Sequence, residues 1–174
     1  DAKDHYTYGH SKKVSKCAHD IAVEMGFSEE KSDIIRIAGL LHDIGKIGVS
    51  DDILSKKTSL SDSEWKPIHA HPVMGVSILK HVDSIKDCLP GVLYHHEHFD
   101  GSGYPQGLKG ENIPLDARIL AVADSYDAMT SSRTYRRIPM TTENAVEELI
   151  RCSGTQFDPD VVRVFIGMLS RRNN

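Results

Sequence analysis

The sequence predicts an all-α fold, a bundle of about seven to eight helices in one domain. Three observations carry the helical expectation. Apolar residues recur at helical spacing through most of the chain. No hairpin, βαβ unit or internal repeat interrupts that pattern. A length of 174 residues suits a single domain around a single core.

The elements follow in order. Val14, Cys17, Ile21 and Met25 share one helical face, and Gly26 stops that helix. Ser28 with Glu29 and Glu30 starts a second, because a serine cap and early acids suit the positive end of a helix. Its stripe of Ile34, Ile37, Ala38 and Leu41 runs up to His42-Asp43, and Gly45 ends it. Ser61-Asp62-Ser63-Glu64 has the form of a capping box with Ser61 as N-cap, followed by Trp65 and Ile68. His71-Pro72 opens a further helix with proline in its first turn and Val76, Leu79 and Val82 as its stripe. A helix from about Pro90 to Glu97 carries His95-His96.

Residues 99 to 114 break the periodicity, since Gly101, Gly103, Pro105, Gly107, Gly110 and Pro114 do not share a regular element. A long loop directly after two candidate ligands is a functional candidate. A helix from about Leu115 to Thr130 then holds Asp124 and Asp127. Thr142 caps another, ending near Gly154, and Asp158-Pro159 opens the last, with Val162, Phe165, Ile166 and Leu169 inward.

The net charge of -4 comes from 21 basic and 25 acidic residues. That balance argues against a nucleic-acid duplex as partner, which calls for a basic face. It leaves room for a small anionic substrate whose charge bound metals offset. Cys17, Cys88 and Cys152 form no CxxC pair and read as reduced thiols in a cytoplasmic protein. No membrane span or signal peptide is visible. The chain opens on Asp1 without an initiator methionine, and the expectation is a domain, residues 1 to 174, excised from a longer regulatory protein.

The chemistry concentrates in His42-Asp43-Ile44-Gly45-Lys46. His95-His96 forms a second doublet, Asp124 sits in an apolar run, and His10 and His71 complete five histidines and two aspartates. Imidazole nitrogen and carboxylate oxygen suit first-row transition ions better than magnesium. Neighbours on a helix point about 100° apart. The doublets therefore either flank one ion or address two, with Asp43 bridging. A catalytic ion takes about three protein ligands, so seven donors point to two ions. Paired ions lower the pKa of a water between them and stabilise the charge that grows on a phosphoester under attack. Lys46, three residues after Asp43, is placed to hold a phosphate oxygen as a point charge.

These residues, with HP at 71–72, HHE at 95–97, DGSGYP at 100–105, ILAVADSYDAMTSSRTYR at 119–136 and FDP at 157–159, resemble the HD-GYP domains, a bacterial branch of the HD superfamily of metal-dependent phosphohydrolases. The resemblance runs from His10 to about Phe165. It implies a phosphodiesterase that opens cyclic di-GMP to pGpG, with further cleavage to GMP in many members. It implies His10, His42 and Asp124 on one ion, His71, His95 and His96 on the other, and Asp43 between them. Lys46 matches the catalytic lysine, and Arg133 and Arg136 match basic residues that hold the substrate's phosphate or guanine. Some members carry a glutamate and a third metal where this chain has Tyr6, so two ions are expected. Iron or manganese is the expected metal, with zinc or nickel able to occupy the same donors in a purified sample.

Tyr104 reads either as a base-stacking residue or as packing under its own loop, which in the family borders the active site and docks GGDEF-type proteins. Asp127, three residues after Asp124, is assigned a ligand-orienting, substrate-contacting or structural role. His5, His19, His69, His81 and His98 match no ligand position, although His69 lies near enough to His71 to support it. Asp100 reads as a loop anchor and Arg171-Arg172 as a solvated tail. Three other functions remain open: hydrolysis of 3′,3′-cyclic GMP-AMP, nucleotide reception without catalysis, and oxygen activation by a di-iron centre. The sequence does not separate a monomer from a homodimer.

Overall fold

A computed structural model describes residues 9–56, 58–131 and 138–172. Among them no strand forms, and Ser153 and Phe157 make one isolated bridge. Nine α-helical segments occur among the described residues, the eight expected helices and the single turn Asp51–Leu54.

Helix α1 (His10–Glu24) packs against α2 (Glu29–Leu41), whose start is capped by Ser28 accepting from the Lys31 amide. The most buried face of α2 is Ser32, Ile35, Ala38 and Gly39, with the expected Ile34, Ile37 and Leu41 at its edges. The stripe is rotated because α1 comes close over Gly39, where a side chain would meet the Ser15 backbone. After α2 the chain tightens into a 3₁₀ turn at Ile44–Gly48, and the single turn α3 (Asp51–Leu54) follows. Gly45 serves a close approach rather than a stop: an added Cβ would overlap the His71 carbonyl and stand 2.6 Å from the Gly75 nitrogen.

Helix α4 (Asp62–His69) opens on the expected capping box, the Ser61 amide donating to Glu64 Oε2 at 2.8 Å. Helix α5 (His71–Leu79) buries His71, Pro72, Gly75 and Leu79, whereas Val82 lies beyond its end and is exposed. The expected stripe fails there because a 3₁₀ turn at Asp83–Cys88 takes over the chain. Helix α6 (Leu89–Tyr94) stops before His95, shorter than expected. The Gly-rich loop holds one 3₁₀ turn at Gly110–Asn112 and leads into α7 (Leu115–Thr130).

Helix α8 (Thr142–Arg151) is capped by Thr141 rather than Thr142, its hydroxyl accepting from the Asn144 amide. Asp158 caps α9 (Pro159–Arg172) through the Asp160 amide and also pairs with Arg118 of α7. Arg171 is solvated, as expected, and also pairs with Glu24 at the end of α1. The core joins Val14 and Ile21 of α1, Ile35 and Ala38 of α2, Val92 of α6, Ile119 and Leu120 of α7, Leu149 of α8 and Phe165 of α9. Burying a side chain such as Phe165 contributes roughly 1.5–3 kcal/mol against exposure. These contacts fix the helix ends that carry the polar centre.

Candidate metal centre

Three helix C-termini converge on one point. His42 is the C-cap of α2, His95 that of α6, and His71 follows α4 by two residues. Each imidazole donates its Nδ1 proton to the carbonyl three residues back. His42 reaches Gly39 O at 2.7 Å, His71 reaches Ile68 O at 2.6 Å and His95 reaches Val92 O at 2.8 Å. A carbonyl only accepts, so the proton is fixed on Nδ1 and Nε2 presents a lone pair to the centre. His10, the first residue of α1, donates Nδ1–H to Asp127 Oδ2 at 2.6 Å.

The Nε2 lone pairs face other lone pairs. His71 Nε2 stands 3.4 Å from His95 Nε2 and 3.3 Å from Asp43 Oδ1. His10 Nε2 stands 3.1 Å from Asp124 Oδ1, and His42 Nε2 lies 3.4 Å from Asp43 Oδ2 and 3.9 Å from Asp124 Oδ1. His42 Nε2 and Asp43 Oδ1 are buried without a hydrogen-bond partner. Opposed, desolvated acceptors repel unless a cation lies between them. The donors therefore fit metal ions.

They fall into two sets. Asp43, His71, His95 and His96 present ligand atoms within 4.8 Å of one another, and so do His10, His42 and Asp43. Asp43 belongs to both, and Asp124 adjoins the second through His10 and His42. His10, His42, His71 and His95 form a buried floor, while Asp43, His96 and Asp124 are half-buried and form the mouth.

The electrostatics suit cation binding. Burial opposes ionisation of Asp43, but the Lys46 ammonium, 2.6 Å from Oδ2, holds the carboxyl well below its usual range. Burial also opposes ionisation of Asp124, but the neighbouring His10 and His42 imidazoles hold its carboxyl below the usual range. Burial keeps His95 neutral and pushes His96 down to about 3. Ionised carboxylates and neutral imidazoles are the forms that bind metals.

Asp127 is assigned a ligand-orienting, substrate-contacting or structural role by the sequence; its carboxylate engages His10 Nδ1 and the Ser131 hydroxyl, the geometry of a ligand-orienting residue behind the centre. Tyr104 stacks on His96 with centroids 4.8 Å apart and on His69 at 4.3 Å. Burial and the nearby Asp43 and Asp124 charges push its phenol up. Arg133, Arg136, Tyr6 and His5 lie outside the described residues.

Sequence reasoning missed two contributors. Glu97, buried, accepts from the Gln106 and Leu108 amides at 2.7 and 3.0 Å and ties the Gly-rich loop to the His95-His96 end of α6. Gly103 lets that loop lie against the same strip, since a Cβ there would come within 2.5 Å of Glu97 Cα and His96 O. His69, expected to be structural, is the stacking partner of Tyr104, and its i,i+4 spacing from Trp65 was the available signal. Asp100 is the loop anchor expected, accepting from the Ser102 amide at 2.9 Å.

Comparison with known proteins agrees with this geometry. The HD domain family matches residues 1–161. A cyclic di-GMP phosphodiesterase of Thermotoga maritima is 42% identical over 94% of this chain and 45% of its own length. The 3′3′-cGAMP-specific phosphodiesterase 3 of Vibrio cholerae is 38% identical over 92% of this chain and 35% of its own. The chain thus spans less than half the length of these relatives. The crystal structure of a cyclic GMP-AMP specific phosphodiesterase from V. cholerae shares the fold at a TM-score of 0.74 and 20% identity, over 97% of this chain and 46% of that one. A family match over most of the length, a shared helical fold and an HD doublet at the heart of two donor sets lead to one assignment: the chain belongs to the HD domain family, in its HD-GYP branch.

Proposed function

We propose that this domain hydrolyses cyclic di-GMP to pGpG, GMP or both, using two divalent ions, iron or manganese. The observation that carries the reading is Asp43, whose carboxylate belongs to both donor sets. His10, His42 and Asp124 would hold one ion, and His71, His95 and His96 the other. Bound there, paired ions supply Lewis acidity and an activated water for attack on phosphorus.

The chain's own residues do the remaining work. Lys46 offers a half-buried ammonium at the mouth, able to pair with a non-bridging phosphate oxygen while it keeps Asp43 ionised. Asp127 holds the His10 ring in the tautomer that turns Nε2 inward. With its ring packed on two histidines, Tyr104 meets substrate through its hydroxyl. Arg133 and Arg136 are assigned to the substrate's phosphate or guanine. The substrate is an intracellular messenger, so the domain belongs in the cytoplasm, within a longer regulatory protein. The Gly-rich loop would dock GGDEF-type proteins.

Metal analysis joined to a cyclic di-GMP assay tests the reading. The parent should hold about two ions per chain, and Asp43→Ala should lose both the metal and the turnover. A single ion, or turnover that survives in D43A, refutes it. The name of the Vibrio relative supports a second reading, hydrolysis of 3′,3′-cyclic GMP-AMP. Comparing kcat/KM for the two nucleotides on one metal-loaded sample separates them.

A further inference from the structure

Four rings form a continuous ladder from the centre to the surface. His96 stacks with Tyr104 at 4.8 Å, Tyr104 with His69 at 4.3 Å, and His69 meets Trp65 at 5.4 Å. Exposure rises along it: His96 and Tyr104 are half-buried, His69 is exposed and Trp65 is 43% exposed.

Trp65 and His69 lie one helical turn apart on α4, and Asp62 and Lys66 form the adjacent pair at the same spacing. The four residues line an open groove of about 320 Å³. Neither Asp62 nor Lys66 has an ion-pair partner among the described residues. An indole face is a platform for any nucleobase. The flanking charges add a guanine pattern: a carboxylate accepts from the N1–H and 2-amino donors, and an ammonium donates to O6.

We infer that this groove is the subsite for one guanine of the substrate, with Trp65 as the stacking platform and Asp62 and Lys66 reading the base edge. The inference rests on the cyclic-dinucleotide reading above. It gives the ladder a purpose: Tyr104 and His69 fill the space between the scissile phosphate and the base, and so fix their separation.

Trp65 is the only tryptophan in the chain, so indole emission reports on this groove alone. Titration with the hydrolysis-resistant bis-phosphorothioate of cyclic di-GMP should quench that emission saturably, and inorganic phosphate should not. Trp65→Ala should raise KM for cyclic di-GMP roughly tenfold, the range expected for loss of one base stack, while kcat changes little. Trp65→Phe, which keeps an aromatic face, should recover most of the affinity. Unchanged emission together with an unchanged KM in W65A overturns the inference while hydrolysis by the parent leaves the proposed function standing. Quenching by the analogue without hydrolysis by the metal-loaded parent does the reverse.

Discussion

His71 and His95 approach through their Nε2 atoms to 3.4 Å, and neither atom carries a proton, because each ring has committed its Nδ1–H to a backbone carbonyl. The pair is therefore repulsive in the metal-free chain and becomes cohesive once a cation is shared. Metal removal should lower Tm, and titration of manganese or iron back into chelated protein should restore it. The gain is about 2.7 kcal/mol when free metal exceeds its Kd a hundredfold. Differential scanning fluorimetry with and without chelator measures it. A Tm indifferent to metal would remove the cation from between these rings.

Asp127 acts on the centre through His10. Asp127→Asn should weaken metal binding roughly 10- to 100-fold and reduce turnover mainly at limiting metal. Excess metal should recover much of the activity. Competition against a chelating dye gives the affinity, and an unchanged value would leave Asp127 a merely structural residue.

Lys46 touches Asp43 and faces the mouth. Lys46→Ala should lower kcat by roughly 100- to 1000-fold, the scale for losing one group that stabilises transition-state charge. Metal content should stay close to the parent's, which distinguishes this variant from D43A. Steady-state kinetics beside elemental analysis decide between the two effects.

Gly45→Ala places a methyl group against the His71 carbonyl and the Gly75 nitrogen. Overpacking of this kind costs about 1–3 kcal/mol. Because the 3₁₀ turn and α5 must part to admit it, His71 should shift and metal affinity should fall with stability. Urea unfolding and metal titration on the same sample check both losses, and an unaltered midpoint contradicts the close approach.

His96 gives the metal-free protein a defined pH response. Burial pushes its imidazole down to about 3, whereas an unfolded histidine titrates near ~6.5. Between those values the unfolded chain binds the extra proton. The contribution of His96 is thus complete above about pH 6.5 and is lost as pH falls towards 3. His95 shifts the same way. Unfolding curves at several pH values in chelator should show stability falling through this window, and His96→Gln should flatten the slope.

Much of this molecule was legible in its sequence, for reasons that differ by residue. Ser28, Ser61 and Asp158 marked helix starts because capping is local chemistry. The donors were found by type and spacing, and the fold brings His10, His42, Asp43, His71, His95, His96 and Asp124 to one place. What periodicity concealed was set by neighbours distant in sequence. Gly45 reads as a helix stop until the His71 carbonyl lies against it. Val82 fits a helical stripe until α5 ends at Leu79. Asp127 and Glu97 acquire roles only through His10 and the amides of a loop, neither of which composition places.

The carbonyls at the ends of α2, α4 and α6 have a consequence for how such a protein tolerates change. The main chain aims these imidazoles, so what matters is the residue count of each helix more than the side chains along it. One residue inserted into a final turn would swing the ring by about 100°, and no rotamer adjustment regains the aim. Lineages carrying this centre are therefore free to diversify their exposed faces but are intolerant of indels in three short stretches of backbone.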